Sequence, residues 1–103
     1  MDAVLILVGK TRVQDEYGMW KETPTDRQIF CQVESVTRAE FFDGGRNGLN
    51  PEFQFTVFAG DYAGETVCKY EGNQYAIYRT YRVPGTDYME LYAERKGGTN
   101  GSN

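Results

Sequence analysis

The 103-residue sequence has no histidine, two cysteines, three prolines and one tryptophan. A His/Cys zinc cluster, a histidine base and a serine triad therefore all lack parts. Positive charge is short as well: 11 Lys and Arg face 15 Asp and Glu, for a net charge of −4. The basic residues are scattered, whereas wrapping an anionic polymer by counterion release needs them clustered. The apolar run at residues 3–8 is too short to span a bilayer or to form a full signal-peptide core. No long stretch shows the 3.6-residue helical period. The expectation is a soluble protein made in a reducing cytoplasm, without a membrane partner.

The two cysteines, Cys31 and Cys68, are far apart and form no CxxC. They read as small reduced residues of core or surface, with a disulfide open only if the fold brings them together.

Aromatic residues are plentiful, with eight Tyr and six Phe. One domain of this length buries about 60–65% of its unfolded surface, so large side chains must supply the core. Short alternating runs dominate. Residues 3–11 form the first predicted strand, with Val4, Ile6 and Val8 on one face and Leu5 and Leu7 on the other. Asp15-Glu16-Tyr17-Gly18 is a turn signal, residues 19–21 a short strand, and Pro24 a break. Residues 27–35 place Ile29, Cys31 and Val33 inward, with Gln28, Gln32 and Glu34 outward. Phe53, Phe55 and Val57 alternate with Gln54 and Thr56.

After a loop at residues 60–64, residues 65–70 and 74–83 form a hairpin around Glu71-Gly72-Asn73. Tyr75, Ile77, Tyr81 and Val83 are predicted to share a face. Pro84-Gly85 turns the chain into residues 88–94, with Met89, Leu91 and Ala93 inward. The predicted fold is mainly all-β: a small antiparallel β-barrel of about six strands, one short helix and a long Gly-rich loop. Closure is favoured because strands this short leave costly edges in an open sheet. The domain is predicted over residues 1–96. The Gly/Asn/Ser-rich tail at residues 97–103 is predicted to be disordered.

Residues 37–52, "TRAEFFDGGRNGLNPE", interrupt the strands. Thr37 and Glu40 fit a capping box, and Val36 with Phe41 fits a hydrophobic staple. Thr37 therefore starts a helix, and Gly44 or Gly45 ends it in a left-handed conformation. A helix this short must pack on something. Phe41 is assigned to plug the end of the barrel. Phe42 points about 100° away and is either core or partner-facing. The candidate interface loop comprises Phe42, Asp43, Gly44, Gly45, Arg46, Asn47, Gly48, Leu49 and Asn50. It lacks GxxxxGK[ST] and precedes no helix, so it is no phosphate cradle. Tyr62 is a second candidate contact, as a loop aromatic.

Arg79-Thr80-Tyr81-Arg82 reads as an exposed strand rather than a nucleic-acid contact, with Arg79 at the barrel mouth or paired to a carboxylate. Asp15, Glu16, Asp43, Asp61 and Asp87 are loop acids without EF-hand spacing. Asp61 and Glu65 make a nominal catalytic pair with no further catalytic parts. No enzyme, metal or cofactor is expected.

Several segments in order carry a resemblance: "EYGMW", "QVESVTRAEFFDGGRNGLNPEFQFTVF", "YEGNQYAIYRTYR" and "DYMELYAERKGG". Across residues 11–98 the chain resembles the head-closure, or head–tail adaptor (connector), proteins of long non-contractile tailed phages and prophages. The resemblance implies a β-barrel with a short helix and a long loop. It implies a ring, dodecameric in the family, below the portal-bound adaptor protein and above the tail-terminator protein. Such a ring closes the DNA channel after packaging and later lets DNA through without binding it specifically. By position, residues 42–50 match the family's inter-subunit and channel loop. The implied location is the head–tail junction of the virion, reached from the host cytoplasm. Two alternatives remain: a tail-completion or tail-terminator protein of the same virion, and an oligonucleotide-binding small barrel.

Overall fold

A computed structural model describes residues 2–95; the predicted tail lies outside them. Six strands close into an antiparallel barrel, as their alternation predicts. In chain order these are β1 (Asp2–Val8), β4 (Arg27–Ser35), β5 (Pro51–Phe58), β6 (Val67–Tyr70), β7 (Asn73–Arg82) and β8 (Tyr88–Arg95). Two further strands, β2 (Lys10–Gln14) and β3 (Trp20–Pro24), pair only with each other. One helix, α1 (Arg38–Arg46), lies between β4 and β5. Around the barrel the order is β1-β4-β5-β8-β7-β6, and β6 pairs back onto β1.

The interior follows the two-residue period of the strands. Leu5 and Leu7, Ile29 and Cys31, Phe55 and Val57, Tyr75 and Ile77, and Leu91 and Ala93 all point in, with Cys68 beside them. Both cysteines are thus core residues. Burial pushes the Cys68 thiol up to about 12, with the nearby Cys31 adding to the shift. The β6–β7 turn is Glu71-Gly72, with φ of 50° and 81°. Two positive φ values in a two-residue loop give the mirror-image turn that matches strand twist, and they place Tyr70 opposite Asn73.

Three departures from the sequence reading shape the barrel. The predicted strand 3–11 divides at Gly9, where the chain leaves the barrel. A Cβ there would stand 2.9 Å from Thr25 Oγ1, and Thr25 N donates to Gly9 O at 2.9 Å. This close crossing pinches the base of a β2–β3 arm. The radius of gyration, 15.4 Å, exceeds the about 13 Å of a compact domain this long, as a projecting arm requires.

The second departure is a bulge. Ile77 pairs with Ala93 but Arg79 pairs with Tyr92, so Tyr78 is an extra residue. The bulge reverses facing beyond it. Tyr81, expected inside with Tyr75 and Ile77, is exposed, and Thr80 stands opposite Leu91 instead.

The third concerns the barrel plug. Phe53 closes the helix-side end, with its ring 5.5 Å from both Tyr70 and Tyr75 and 5.8 Å from Phe55. These contacts, edge to face with the two tyrosines and tilted with Phe55, fill the place assigned to Phe41. Phe41 is 48% exposed and Phe42 56% exposed, so neither belongs to the core.

Candidate functional site

The interrupting stretch is built as a helix tied to the barrel. Thr37 caps it, accepting from Glu40 N at 3.1 Å, as the capping pattern predicts. The return half of the box is not made. The Glu40 carboxylate reaches across to β7 instead, accepting from Arg79 Nη2 at 2.5 Å and from the Tyr78 hydroxyl. The bulge explains this pairing: it turns two consecutive side chains, Tyr78 and Arg79, to the outer face under the helix. The Arg79 guanidinium also lies 3.7 Å from the centre of the Tyr92 ring, and the Tyr92 hydroxyl donates to Glu90 at 2.6 Å.

The Glu40 carboxylate is largely buried beneath the helix. Its hydrogen bonds from Arg79 outweigh the cost of burial and hold its pKa below the usual carboxylate value. Burial, then the bond to Glu90, pushes Tyr92 up to about 12. The sequence reading had allowed Arg79 a carboxylate partner, and Glu40 is that partner.

The candidate loop is mostly not a loop. Phe42, Asp43, Gly44, Gly45 and Arg46 belong to α1, which continues past both glycines expected to end it. Gly44 is buried because the Pro51 ring occupies the space of a Cβ, with Pro51 Cδ 3.0 Å from that position. Helix and strand can meet there only through glycine. Asn47 caps the end, its side chain donating to Asp43 O at 2.9 Å. Gly48 is the residue that turns left-handed, with φ of 79°. Leu49 N returns to Gly44 O at 2.9 Å, and Asn50 N donates to Glu94 Oε1 at 3.0 Å. A flexible glycine run is thereby replaced by a pinned segment.

The outward side of α1 presents Phe41 and Phe42, packed edge to face with centroids 5.8 Å apart. Beside them lies a groove lined by Ser35, Val36, Thr37, Arg38, Pro51 and Glu52 among others. Arg46 and Asp43 form an exposed pair at 3.7 Å.

Tyr62 is not an exposed loop aromatic. It packs against the core, and its hydroxyl donates to Glu65 O at 2.6 Å. Glu65, the other half of the nominal catalytic pair, accepts from Arg27 at 2.7 Å and from Ala63 N at 2.9 Å. Burial raises its pKa, but these bonds win and leave it lowered. Together they seal the arm-side end of the barrel.

Two surfaces were not singled out from sequence. The first is the arm, where every residue of β2 and β3 is exposed and Val13, Met19 and Trp20 have no core to fill. Asp15 Oδ1 ties its turn by accepting from Tyr17 N and Met19 N, and Arg12 stands 5.2 Å from the Trp20 ring. The second is a row on the barrel wall. Phe30, 73% exposed, stands opposite Val4, and Phe58 opposite Tyr88. The Cys31–Val57 pairing places Phe30 beside Phe58, so the row crosses four strands over a cleft of about 390 Å³. The signal was present in the alternation: Phe30 falls between inward Ile29 and Cys31, and so faces out.

Among the described residues, no three or more His, Cys, Asp or Glu are grouped to hold a metal, and no helix is long and apolar enough to cross a membrane. No protein-family model matches the chain, and no curated protein matches it significantly.

Proposed function

We propose that this protein is a structural virion component of the phage head–tail connector, one subunit of a ring that closes the DNA channel and offers a docking surface to the tail. Its partners in this reading are further copies of itself, a portal-bound adaptor protein and a tail-terminator protein. The observation that carries the reading is the small closed barrel with unlike exposed appendages at opposite ends: α1 between β4 and β5, the arm between β1 and β4. A ring subunit needs separate surfaces for its neighbours and for the layers above and below, and heterologous contacts that close produce such rings. The net charge of −4 suits a channel that must pass DNA without holding it.

The exposed aromatic row is the one feature favouring an oligonucleotide-binding barrel, since bases stack on such rings. Its cleft is lined by one charged residue, Asp61, of the wrong sign. A salt-dependent gel shift would move the assignment to that class.

The deciding experiment is complementation of a phage lacking the gene, with electron microscopy of the particles. The expected result is density for the protein at the head–tail junction, with DNA-leaking or tailless heads from Phe42→Ala, which removes an exposed ring and leaves the pinned segment at residues 44–50 in place. Normal plaques from Phe42→Ala protein that melts like the natural chain would remove the role given to this face.

A further inference from the structure

The barrel-wall cleft of about 390 Å³ is lined by three aromatic rings, Phe30, Phe58 and Tyr88, and by one carboxylate, Asp61. We propose that it is a binding site for an arginine side chain presented by another protein chain. Such a site does not depend on the connector reading.

Two filled sites of the same composition elsewhere in the molecule select this occupant. Arg79 lies 3.7 Å from the centre of the Tyr92 ring and is paired to Glu40. Arg95 stands 5.8 Å from the centre of the Tyr75 ring and pairs with Glu52 at 3.3 Å. In both, a guanidinium lies beside a ring and a glutamate meets its charge. The wall cleft has the rings and the carboxylate, and neither Lys nor Arg lines it. Among the described residues, the Asp61 carboxylate makes no ion pair or hydrogen bond, and none of the three rings stacks on another ring or carries a cation.

The fold itself holds the cleft in shape. Phe58 and Tyr88 stand opposite each other on β5 and β8, and the Cys31–Val57 pairing sets Phe30 beside Phe58. A single 3-10 turn, Ala59–Asp61, then brings Asp61 to the cleft. A Cβ on Gly60 would stand 2.6 Å from Phe58 Cε2, so glycine lets that ring lie against the turn. Ala59 N donates to Asp87 O at 2.7 Å, which ties the turn to the residue before Tyr88. Groups fixed before binding lose less freedom on binding.

Other occupants fit less well. A phosphate or nucleotide meets Asp61 as a like charge. An apolar side chain would strip water from that carboxylate and return no partner. Lysine brings charge without a plane. A guanidinium stacks on a ring and forks to a carboxylate, and Gln32 and Thr56, which also line the cleft, add neutral acceptors for its remaining N–H groups.

Amide NMR of the isotope-labelled full-length chain tests this. The probe is an acetylated and amidated Gly-Arg-Gly peptide. It is compared with its citrulline twin, which has the same shape and no charge, with its lysine twin and with an oligothymidylate. The expected result is saturable, millimolar binding of the arginine peptide that shifts the Phe30, Gln32, Thr56, Asp61 and Tyr88 amides, with the citrulline and lysine peptides at least about fivefold weaker. Asp61→Asn and Tyr88→Leu, each shown to be folded by a dispersed spectrum, are expected to lose a similar factor. Glu16→Gln, exposed at the arm turn, is expected to bind as the natural chain does. Tyr88→Leu carries the comparison alone if Asp61→Asn does not fold. No saturable shift, equal binding of the citrulline or lysine peptide, full binding by a folded cleft variant, or shifts of the same amides by the oligothymidylate overturns the proposal.

Discussion

The two ends of the barrel solve the same problem differently. A nine-residue helix is not stable alone, and neither is an isolated two-stranded ribbon. The helix end is finished within the monomer. Glu40 grips Tyr78 and Arg79 from 38 and 39 residues away in sequence, Gly44 lets the Pro51 ring in, and Asn50 binds Glu94. The arm itself, beyond the Arg27–Glu65 pair at its base, relies on neighbours in sequence: an Asp15 turn, Arg12 by Trp20, and surface ion pairs of Lys10 with Glu22 and Lys21 with Asp15. Exposed pairs of that kind contribute about 0–1 kcal/mol each. Long-range polar bonds make one appendage part of the folding unit; local bonds let the other open without the barrel.

Both appendages rest on the core of the barrel. Leu91, fully buried on β8, tests that base. Leu91→Ala is expected to cost about 2–5 kcal/mol by cavity formation, read by urea unfolding. An unchanged midpoint would mean that β8 faces the other way.

The helix tie comes next in size. Glu40→Ala leaves Arg79 and Tyr78 without their acceptor and is expected to cost about 1.5–3 kcal/mol, the range for hydrogen bonds to a charged group. The sign of its pH dependence follows from the lowered pKa. The tie contributes fully above the usual glutamate value of 4.5, and is lost as pH falls through the lower folded value. Acid melts of Glu40→Gln are therefore expected to be flatter than those of the natural chain below pH 4.5, with Glu65 supplying part of the remaining slope. Identical acid profiles would place Glu40 outside the tie.

Two adjacent glycines sharpen the same end. Gly44→Ala drives a Cβ into Pro51 and is expected to cost about 1–3 kcal/mol. Gly45→Ala meets nothing within 4 Å and is expected to gain about 0.5–1 kcal/mol from helix propensity. A matched pair of thermal melts reads both, and equal shifts would mean that α1 does not rest on β5 through Gly44.

Period-2 alternation carried most of the barrel, because inward facing is written into every strand: residues 27–35 were read as the structure has them, inward Ile29 and Cys31 included. It failed where the period itself breaks. The extra residue at Tyr78 reversed Tyr81, and nothing local in "AIYRTYR" marks a bulge that exists to place two side chains under a helix. The Thr37 cap was legible because it is local, whereas the second half of the expected box lost to Arg79, a partner on another strand. Gly44 illustrates the same limit. Glycine marks helix ends by its freedom, but here it marks a close approach whose cause, the Pro51 ring, becomes visible only after folding.

The smallest expected effect on stability is at the arm. Trp20 is 58% exposed, and its ring is held by Arg12 at 5.2 Å, an interaction of about 0.5–1 kcal/mol at an exposed site. Trp20→Ala is therefore expected to change the unfolding free energy by no more than about 0.5–1 kcal/mol, less than Glu40→Ala does, although it removes a much larger side chain. Amide hydrogen exchange gives the same contrast without mutation: the β2 and β3 amides are expected to exchange faster than those of α1, because their opening does not require the barrel to open. Slow exchange in the arm of the monomer, or a Trp20→Ala penalty as large as that of Glu40→Ala, would show that the arm folds with the barrel. Its exposed face would then be part of a self-sufficient unit, and the contrast between the two ends would fail.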